Sequence, residues 1–437
     1  MLNVKLVFVL STGPIMLFLP DGTLERTEGE DAIQSKVHRL YEELKQGLKS
    51  PDVLSEPVMV CQESDIAMLQ QATPQVDAFL VYLISNIPVP VSEFLSLGKP
   101  LIAFSGQHTP FRALHIFSEE REHNTQVTVA LDYKDIDDQI QMLKTVKRLG
   151  DTKIAFISSP SSMLSRWHDL PDPENIRRKL GSDLIAIDIE QLIAEAAGIS
   201  DAEAEDTSRK WMNGAIEIIE PTPADVLKAA KVHVALSRII EKAGAGAMAI
   251  DCIRLLSLPE PTPACLALTT LKNNGIPSAC EADVTALLTM MILEYSANKP
   301  AFMGNIARLN PENNELIMSH CVMPTKMAGF SQPPDQYVLR NYHGYCGATA
   351  YVDLKKGQEV TIARIARGLD KLVTLKGKIL NCTDTTSCRI TVTLAIENAR
   401  DFAHKAMGRH YVMVYGDYLK ELRLLCHTLG INLIEAG

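Results

Sequence analysis

The stretch PSACEADVTALLTM, residues 277–290, places two acidic side chains in front of an apolar helix. Apolar residues recur at helical spacing from Val284 to Tyr295, so the pattern predicts a helix with one buried face. Glu281 and Asp283 lie where this helix begins. Acidic side chains are common there because they complement the helix dipole. Whether either acid also belongs to a functional site depends on the rest of the chain.

The chain before and around this helix alternates short apolar runs with helical stretches. Such runs are typical of parallel sheets that are covered by helices on both faces. The alternation predicts an N-terminal α/β domain over residues 1–150 and a central α/β domain over 151–324, each doubly wound and Rossmann-like. One central helix is especially well marked, with Thr222 as N-cap, Pro223 at its first position and Gly244 at its end.

The sequence pattern changes at about residue 325. The stretches YVLRNYHGYCGATAYVDL, GQEVTIARIA and CRITVTLAI are rich in β-forming residues and are separated by Gly and Asp or Asn turns. They predict an antiparallel barrel-like or sandwich module over residues 325–437, with a closing helix.

The composition narrows the class of protein. The formal charge of the 437 residues is −10 and no window is densely basic, which argues against nucleic acid as the main partner. No apolar run reaches the length of a membrane span, and the N-terminal run is broken at Ser11 without a cleavage site, so we expect a cytoplasmic protein. The nine cysteines are scattered, which favours reduced thiols. Cys382 and Cys388 lack the second pair that a zinc ribbon requires.

Side chains that can bind a metal ion occur near the ends of predicted elements. Glu281 opens a helix, and Asn305 follows an apolar strand, at the carboxyl end where open α/β sheets place their ligands. His320 and His410 adjoin apolar runs. Each residue also has a structural explanation, as a turn residue or a satisfied core histidine. Spacing alone does not show that the four converge, and no nucleotide-binding or zinc-protease motif accompanies them.

Several of these stretches resemble the L-fucose isomerase and L-arabinose isomerase superfamily. CEADVTALLTMMI, PAFMGNI and SHCVMP occur in the order and spacing of the family's central domain, and EVTIARI resembles a strand of its barrel. RHYVMVYGDYLKELRLLCHTLGINLI resembles the family's C-terminal histidine, strand and helix. The similarity covers most of residues 245–437. It implies an aldose–ketose isomerase that forms a homo-oligomer, hexamers being typical of the family.

The resemblance also implies roles for the candidate residues. Glu281 matches the glutamate that binds the catalytic divalent metal and transfers the proton. His410 matches the C-terminal metal-binding histidine, and His320 an additional histidine of the arabinose branch. Asn305 stands where the family has an acid; its amide oxygen can still bind a cation but cannot act as a base. Asp283 is expected to help the helix start and remains a reserve carboxylate. Manganese is the expected ion for this ligand set.

Substrate contacts are expected from the barrel module and from the N-terminal domain. Arg340, His343 and Arg364 lie in the module that flanks the family's site, although surface charge and hydrogen bonding at the barrel rim explain them equally well. Gln107 and His108 follow a predicted strand and are expected to reach an active site, in the same subunit or in a neighbouring one.

Three functions remain open at this point. The first is isomerisation of a monosaccharide or derivative through a cis-enediol, with Glu281 as base. The second, suggested by the neutral Asn305, is a non-catalytic sugar-binding or regulatory protein on the same fold. The third is another enediol reaction on a sugar, such as epimerisation or aldol cleavage.

Overall fold

The computed structural model describes residues 2–10, 14–18, 23–84, 91–106, 113–117, 126–159 and 169–437. Two compact units are present, one over Met1–Lys147 with His427–Gly430 and the other over Arg148–Cys426 with Ile431–Gly437. Parallel sheets flanked by helices are followed by a C-terminal antiparallel barrel, so the predicted fold class is confirmed. The predicted division into three domains stays a prediction.

The first unit contains a five-stranded parallel sheet. In spatial order its strands are Leu54–Val60, Val4–Val9, Ala78–Leu83, Leu101–Phe104 and Val127–Val129. A separate hairpin pairs Ile15–Phe18 with Leu24–Thr27. The helices that begin in this unit are Glu30–Gly47, Ile66–Ala72, Val91–Leu95 and Tyr133–Asp151, and the 3-10 turns are Pro51–Val53, Glu63–Asp65 and Thr73–Gln75. Every residue of Ala78–Leu83 is buried, which explains its unbroken apolar run.

The second unit begins with a four-stranded parallel sheet. Its strands are, in spatial order, Ser278–Ala279, Ala247–Ile250, Lys153–Ser158 and Asp183–Asp188. Its helices are Pro173–Leu180, Ile189–Gly198, Asp201–Gly214, Pro223–Ala243, Cys252–Leu256, Cys265–Asn273 and Val284–Ala297. The predicted caps of the longest helix are confirmed: Thr222 forms a capping box with Asp225, and Gly244 ends the helix with φ 61°.

Six antiparallel strands close into a barrel. Around the barrel they are Glu359–Ile365, His410–Tyr415, Phe302–Asn310, Glu315–His320, Ile390–Ile396 and Lys371–Asp384, and the last pairs with the first. Asn432–Glu435 joins in parallel, and the nearby helices are Ala399–Lys405 and Leu419–Leu429. A separate sheet contains Glu217–Ile218, Tyr337–Tyr342 and Cys346–Val352.

The strand that carries Asn305 belongs to this barrel, whereas the sequence pattern had placed it in the central α/β domain. It pairs in antiparallel fashion with two barrel strands, and Asn305 is its fourth residue rather than a residue beyond its end. The expectation of a ligand at the carboxyl end of a parallel strand is therefore wrong for Asn305. A short apolar run looks the same in either kind of sheet, because the difference lies in its distant partners.

The helix Val284–Ala297 is buried on all sides rather than on one face. All residues from Val284 to Tyr295 are buried. The helix contacts the parallel strand Ala247–Ile250 and also the barrel strands Glu359–Ile365 and His410–Tyr415. This double coverage explains its apolar composition, and it brings the start of the helix against the barrel.

None of the helices in the described part of the chain combines the length and the apolar character that a membrane crossing requires. All nine cysteines lie in described residues and are free thiols.

The turn next to Cys346 offers a test of the packing in the second unit. Gly347 has φ +56°, and a Cβ atom there would lie 2.2 Å from Cδ of Pro263. We expect Gly347→Ala to be destabilising, because a left-handed alanine costs about 1 kcal/mol and Pro263 must also move. The thermal midpoint should fall by several degrees.

Gly344→Ala is the matched control for this substitution. Gly344 has φ +70°, but a Cβ atom there would meet no atom within 4 Å. The two variants share the backbone strain and differ in the steric contact. Equal thermal midpoints for both variants would contradict the predicted contact with Pro263.

Candidate metal centre

The backbone in front of the buried helix is strained where it carries Glu281. Glu281 and Ala282 both have left-handed conformations, with φ 54° and 51°. The backbone N–H of Ala282 donates to the carbonyl of Ile250 at 2.8 Å, which ties this segment to the parallel sheet. Left-handed residues other than glycine cost about 1–3 kcal/mol each and tend to occur at functional sites. The strained backbone therefore marks Glu281 as a candidate functional residue.

Glu281 faces two buried histidines. Its Oε1 atom is 3.5 Å from Nε2 of His320, and its Oε2 atom is 3.6 Å from Nε2 of His410. The ring centroids of the histidines are 5.4 Å apart. One donor atom from each of the three residues lies within 4.8 Å of the others. The chain thus brings together three of the four metal ligands expected from the sequence.

Asn305 lies beside His410. The strand that carries Asn305 lies between the barrel strands that carry His320 and His410. Asn305 is directly opposite both His410 and Ser319. Residues directly opposite each other on antiparallel strands point to the same face of the sheet. Asn305 therefore flanks His410 on the face that looks toward Glu281.

The ring of His410 is held by Asp283. Its Nδ1 atom is 2.8 Å from Oδ2 of Asp283, and Arg364 donates to the same oxygen at 3.0 Å. Burial disfavours the ionised carboxylate, but the hydrogen bond with His410 and the charge of Arg364 outweigh it and hold the pKa of Asp283 below its ordinary value. Burial lowers the pKa of His410 and so favours its neutral ring, which donates to the ionised Asp283 through Nδ1.

The Nε2 atom of His410 therefore carries a lone pair. It is buried, and no hydrogen-bond partner for it exists among the described residues. A buried polar atom without a partner is costly, and a cation would satisfy it. A carboxylate behind a histidine is the usual support for a metal-binding imidazole. The arrangement of Asp283, His410 and Glu281 fits a divalent cation.

His320 is in a different state. The backbone N–H of Cys321 donates to its Nδ1 atom at 2.9 Å. A ring that accepts at Nδ1 carries its proton on Nε2, so His320 directs a donor toward Glu281. To bind a cation through Nε2, His320 must first change to the tautomer that carries its proton on Nδ1. A rotation of the ring that turns the unprotonated Nδ1 toward Glu281 would serve the same purpose.

Arg409 completes the surroundings of Glu281 and was missed in the sequence. Its Nη2 atom is 3.0 Å from Oε2 of Glu281, and its side chain is 46% exposed. Burial disfavours ionisation of Glu281, but the hydrogen bond from His320 and the positive charges that His320, His410 and Arg409 carry at low pH outweigh it and lower the pKa of Glu281 to about 2. The sequence feature that could have indicated Arg409 is its position next to His410.

Asp283 and Arg364 make contacts that the sequence did not predict. Asp283 does cap the helix, accepting from the N–H of Ala286 at 2.7 Å, but it also supports His410. Arg364 was expected at the substrate, yet it is 1% exposed, and its terminal nitrogens contact Asp169, Asp283, Thr285 and the carbonyl of His410. Its position is therefore behind the centre.

Of the other expected substrate contacts, Arg340 and His343 contact other groups, and the rest lie outside the described residues. Arg340 binds Glu220 at 2.6 and 2.8 Å and also contacts Asp384. His343 is exposed at the turn of a hairpin, with φ 52°. Gln107 and His108 lie outside the described residues.

No protein-family model matches the sequence. The chain is similar to curated proteins that are named sulfoquinovose isomerase. The protein from Clostridium sp. (strain MSTE9) is 25% identical over 261 residues, 58% of each chain. That from Priestia aryabhattai is 23% identical over 318 residues, 67% of this chain and 66% of the relative. That from Alkalicoccus urumqiensis is 26% identical over 222 residues, 48% of this chain and 49% of the relative. The matches span about half to two thirds of these relatives, whose shared name denotes a sugar isomerase.

Proposed function

We propose that this protein is a metal-dependent aldose–ketose isomerase of a sugar or sugar derivative. The observation that carries the proposal is the buried Nε2 atom of His410, which Asp283 keeps unprotonated and which faces Glu281 without a partner. The resemblance to the L-fucose and L-arabinose isomerases and the similarity to proteins named sulfoquinovose isomerase support the same activity.

The proposed ligands of the cation are Glu281, His410, His320 and Asn305. Their oxygen and imidazole donors suit manganese. When bound, the cation would act as a Lewis acid that stabilises negative charge on two neighbouring substrate oxygens. Asp283 and Arg364 keep His410 in its orientation.

Glu281 is the proposed base. It removes the proton from C2 of the aldose and returns it to C1 of the cis-enediol, while the hydroxyl proton of O2 passes to O1, so that C2 is oxidised to a carbonyl and C1 is reduced to an alcohol. The amide of Asn305 cannot share this work, so Glu281 moves the proton alone. Arg409 and His320 keep Glu281 ionised at neutral pH, and release of the Arg409 contact would raise the basicity of Glu281.

An anionic sugar is the substrate class that we favour. The relatives are named for a sulfo-sugar, and Arg409 presents a half-exposed cation next to Glu281. A homo-oligomer, with hexamers as the typical family form, and a cytoplasmic location remain predictions from the sequence.

The neutral Asn305 favours one alternative, a sugar-binding or regulatory protein that has lost the chemistry. Such a protein would bind sugars without exchanging their C1 or C2 hydrogens with solvent. An epimerase or aldolase would exchange the hydrogens but release a product other than the isomeric ketose.

The first prediction of this proposal concerns the cation. A ligand that binds only the folded state at about 100 times its Kd adds about 2.7 kcal/mol to the free energy of unfolding. Manganese should therefore raise the thermal midpoint of the wild-type protein, and this rise should be absent in His410→Ala. His404→Ala, which changes an exposed histidine of the same unit, is the control and should keep the rise. An equal manganese response in His410→Ala would refute the proposed ligand.

The second prediction concerns the base. Glu281→Gln keeps the size and one oxygen donor but removes the proton acceptor, so turnover should fall by roughly a hundredfold to ten thousandfold. The measurement is NMR of solvent deuterium entering C1 or C2 during reaction with a panel of aldoses that includes sulfoquinovose. Binding of a polyol should persist in the variant. Tight sugar binding by the wild-type protein without any deuterium exchange would support the binding-protein alternative.

The third prediction concerns the departure from the family. Asn305→Asp restores a carboxylate and should tighten manganese binding, because a carboxylate is a stronger ligand for a hard cation. For an anionic substrate, the added charge should also raise KM. Asn381→Asp is the control, since it adds the same charge to a barrel strand that carries none of the proposed ligands. If Asn305→Asp and the control leave both quantities equally unchanged, Asn305 does not contact the cation.

A further inference from the structure

A second group of metal-binding side chains lies close to His320. The Sγ atoms of Cys321 and Cys388 and a ring nitrogen of His343 all lie within 4.8 Å of one another. The Nε2 atom of His343 is 3.7 Å from Sγ of Cys388. We call these three residues the thiol cluster. The two cysteines have no part in the proposed reaction.

Two barrel strands and a hairpin bring the thiol cluster together. Cys321 directly follows one barrel strand, and Cys388 shortly precedes the strand that pairs with it. His320 and Ile390 are opposite each other in this pair, so the two cysteines lie at the same end of it. His343 lies at the turn of the hairpin in the neighbouring three-stranded sheet.

Hydrogen bonds fix this arrangement without help from a metal. Arg389, which follows Cys388, is 1% exposed and donates through Nε to the carbonyl of Asn341 at 2.7 Å. Its Nη2 atom also contacts the side-chain oxygen of Asn341, two residues before His343. Thr385 donates to the carbonyl of Cys388 at 2.6 Å. The loop with Cys388 and the turn with His343 are thus joined by a buried arginine, which preorganises the cluster.

The distance between Cys388 and His343 suits a tetrahedral ion with sulfur and nitrogen ligands. Metal–sulfur bonds of about 2.3 Å and metal–nitrogen bonds of about 2.0–2.1 Å place sulfur and nitrogen ligands roughly 3.5–3.6 Å apart. The 3.7 Å between Cys388 and His343 is close to that separation. Thiolates favour zinc and other soft or borderline cations over manganese and magnesium.

The burial of the three side chains is graded. Cys321 is 2% exposed, Cys388 is half-buried, and His343 is exposed. A cation can therefore enter from the side of His343 without any rearrangement of the core. Three protein ligands leave the fourth tetrahedral position open on that side.

We propose that the thiol cluster binds one thiophilic divalent cation of the zinc class through Cys321, Cys388 and His343. The site is separate from the centre at Glu281, because it shares no ligand with it. It therefore does not depend on the proposed isomerase activity. Because Cys321 is the chain neighbour of His320, the two centres adjoin each other.

Cobalt is the probe, since thiolate ligands give Co²⁺ a charge-transfer absorption that oxygen and imidazole ligands do not. The full chain, reduced and freed of metal, should develop this absorption with one equivalent of Co²⁺. One equivalent of Zn²⁺ should remove it, and excess Mn²⁺ should not. Cys388→Ser and His343→Ala should each weaken Co²⁺ binding more than about tenfold. His343→Ala changes an exposed residue and keeps the test valid if Cys388→Ser does not fold.

Two control variants locate the bound cobalt. Cys346→Ser changes a half-buried cysteine of the same hairpin that lies outside the cluster, and it should keep the absorption. His410→Ala removes a ligand of the other centre, and it should also keep the absorption while losing the manganese response. Full absorption in both Cys388→Ser and His343→Ala, or its displacement by Mn²⁺, would overturn the proposal.

Discussion

The carboxylate of Asp283 joins the helix, the barrel and the candidate centre. One oxygen caps the buried helix, and the other accepts from His410 and Arg364. A carboxylate buried to 1% exposure is tolerated only when its lost hydration is replaced by donors. Here a helix terminus, a barrel histidine and an arginine supply them. The same group thus starts the helix, sets the tautomer of His410 and links the barrel to the helix that packs on the parallel sheet.

The position of Glu281 follows from this junction and from its own backbone. The chain must pass from the edge of the parallel sheet to the cap at Asp283 within a few residues. It does so through two left-handed residues, Glu281 and Ala282. Such strain persists only where the surroundings hold it, here through the hydrogen bond of Ala282 to Ile250. The carboxylate of Glu281 is consequently held toward the two histidines, with Arg409 and His320 as its counter-charge and donor.

The two clusters offer a cation different chemistry at closely spaced positions. Glu281 and His410, flanked by Asn305, present oxygen and imidazole donors, whereas Cys321 and Cys388 present sulfur. Affinity alone favours the later transition metals at almost any site, so proteins select ions by donor type and geometry. Separate donor sets would let this protein hold a hard cation at one centre while a thiophilic ion occupies the other.

The sequence by itself determined the features that depend on near neighbours. The sequence predicted the helix caps at Thr222 and Gly244, the helix start at Asp283 and the buried strands of the parallel sheets. Capping and strand burial depend on only a few neighbouring residues. The resemblance also named Glu281, His320 and His410. Only the tertiary structure assigned the strand of Asn305 to the barrel and buried the helix Val284–Ala297 on every side. It also joined Asp283 to His410 across 127 residues. These outcomes depend on closure of the barrel, whose pairings connect distant segments that carry no local signal of their partners.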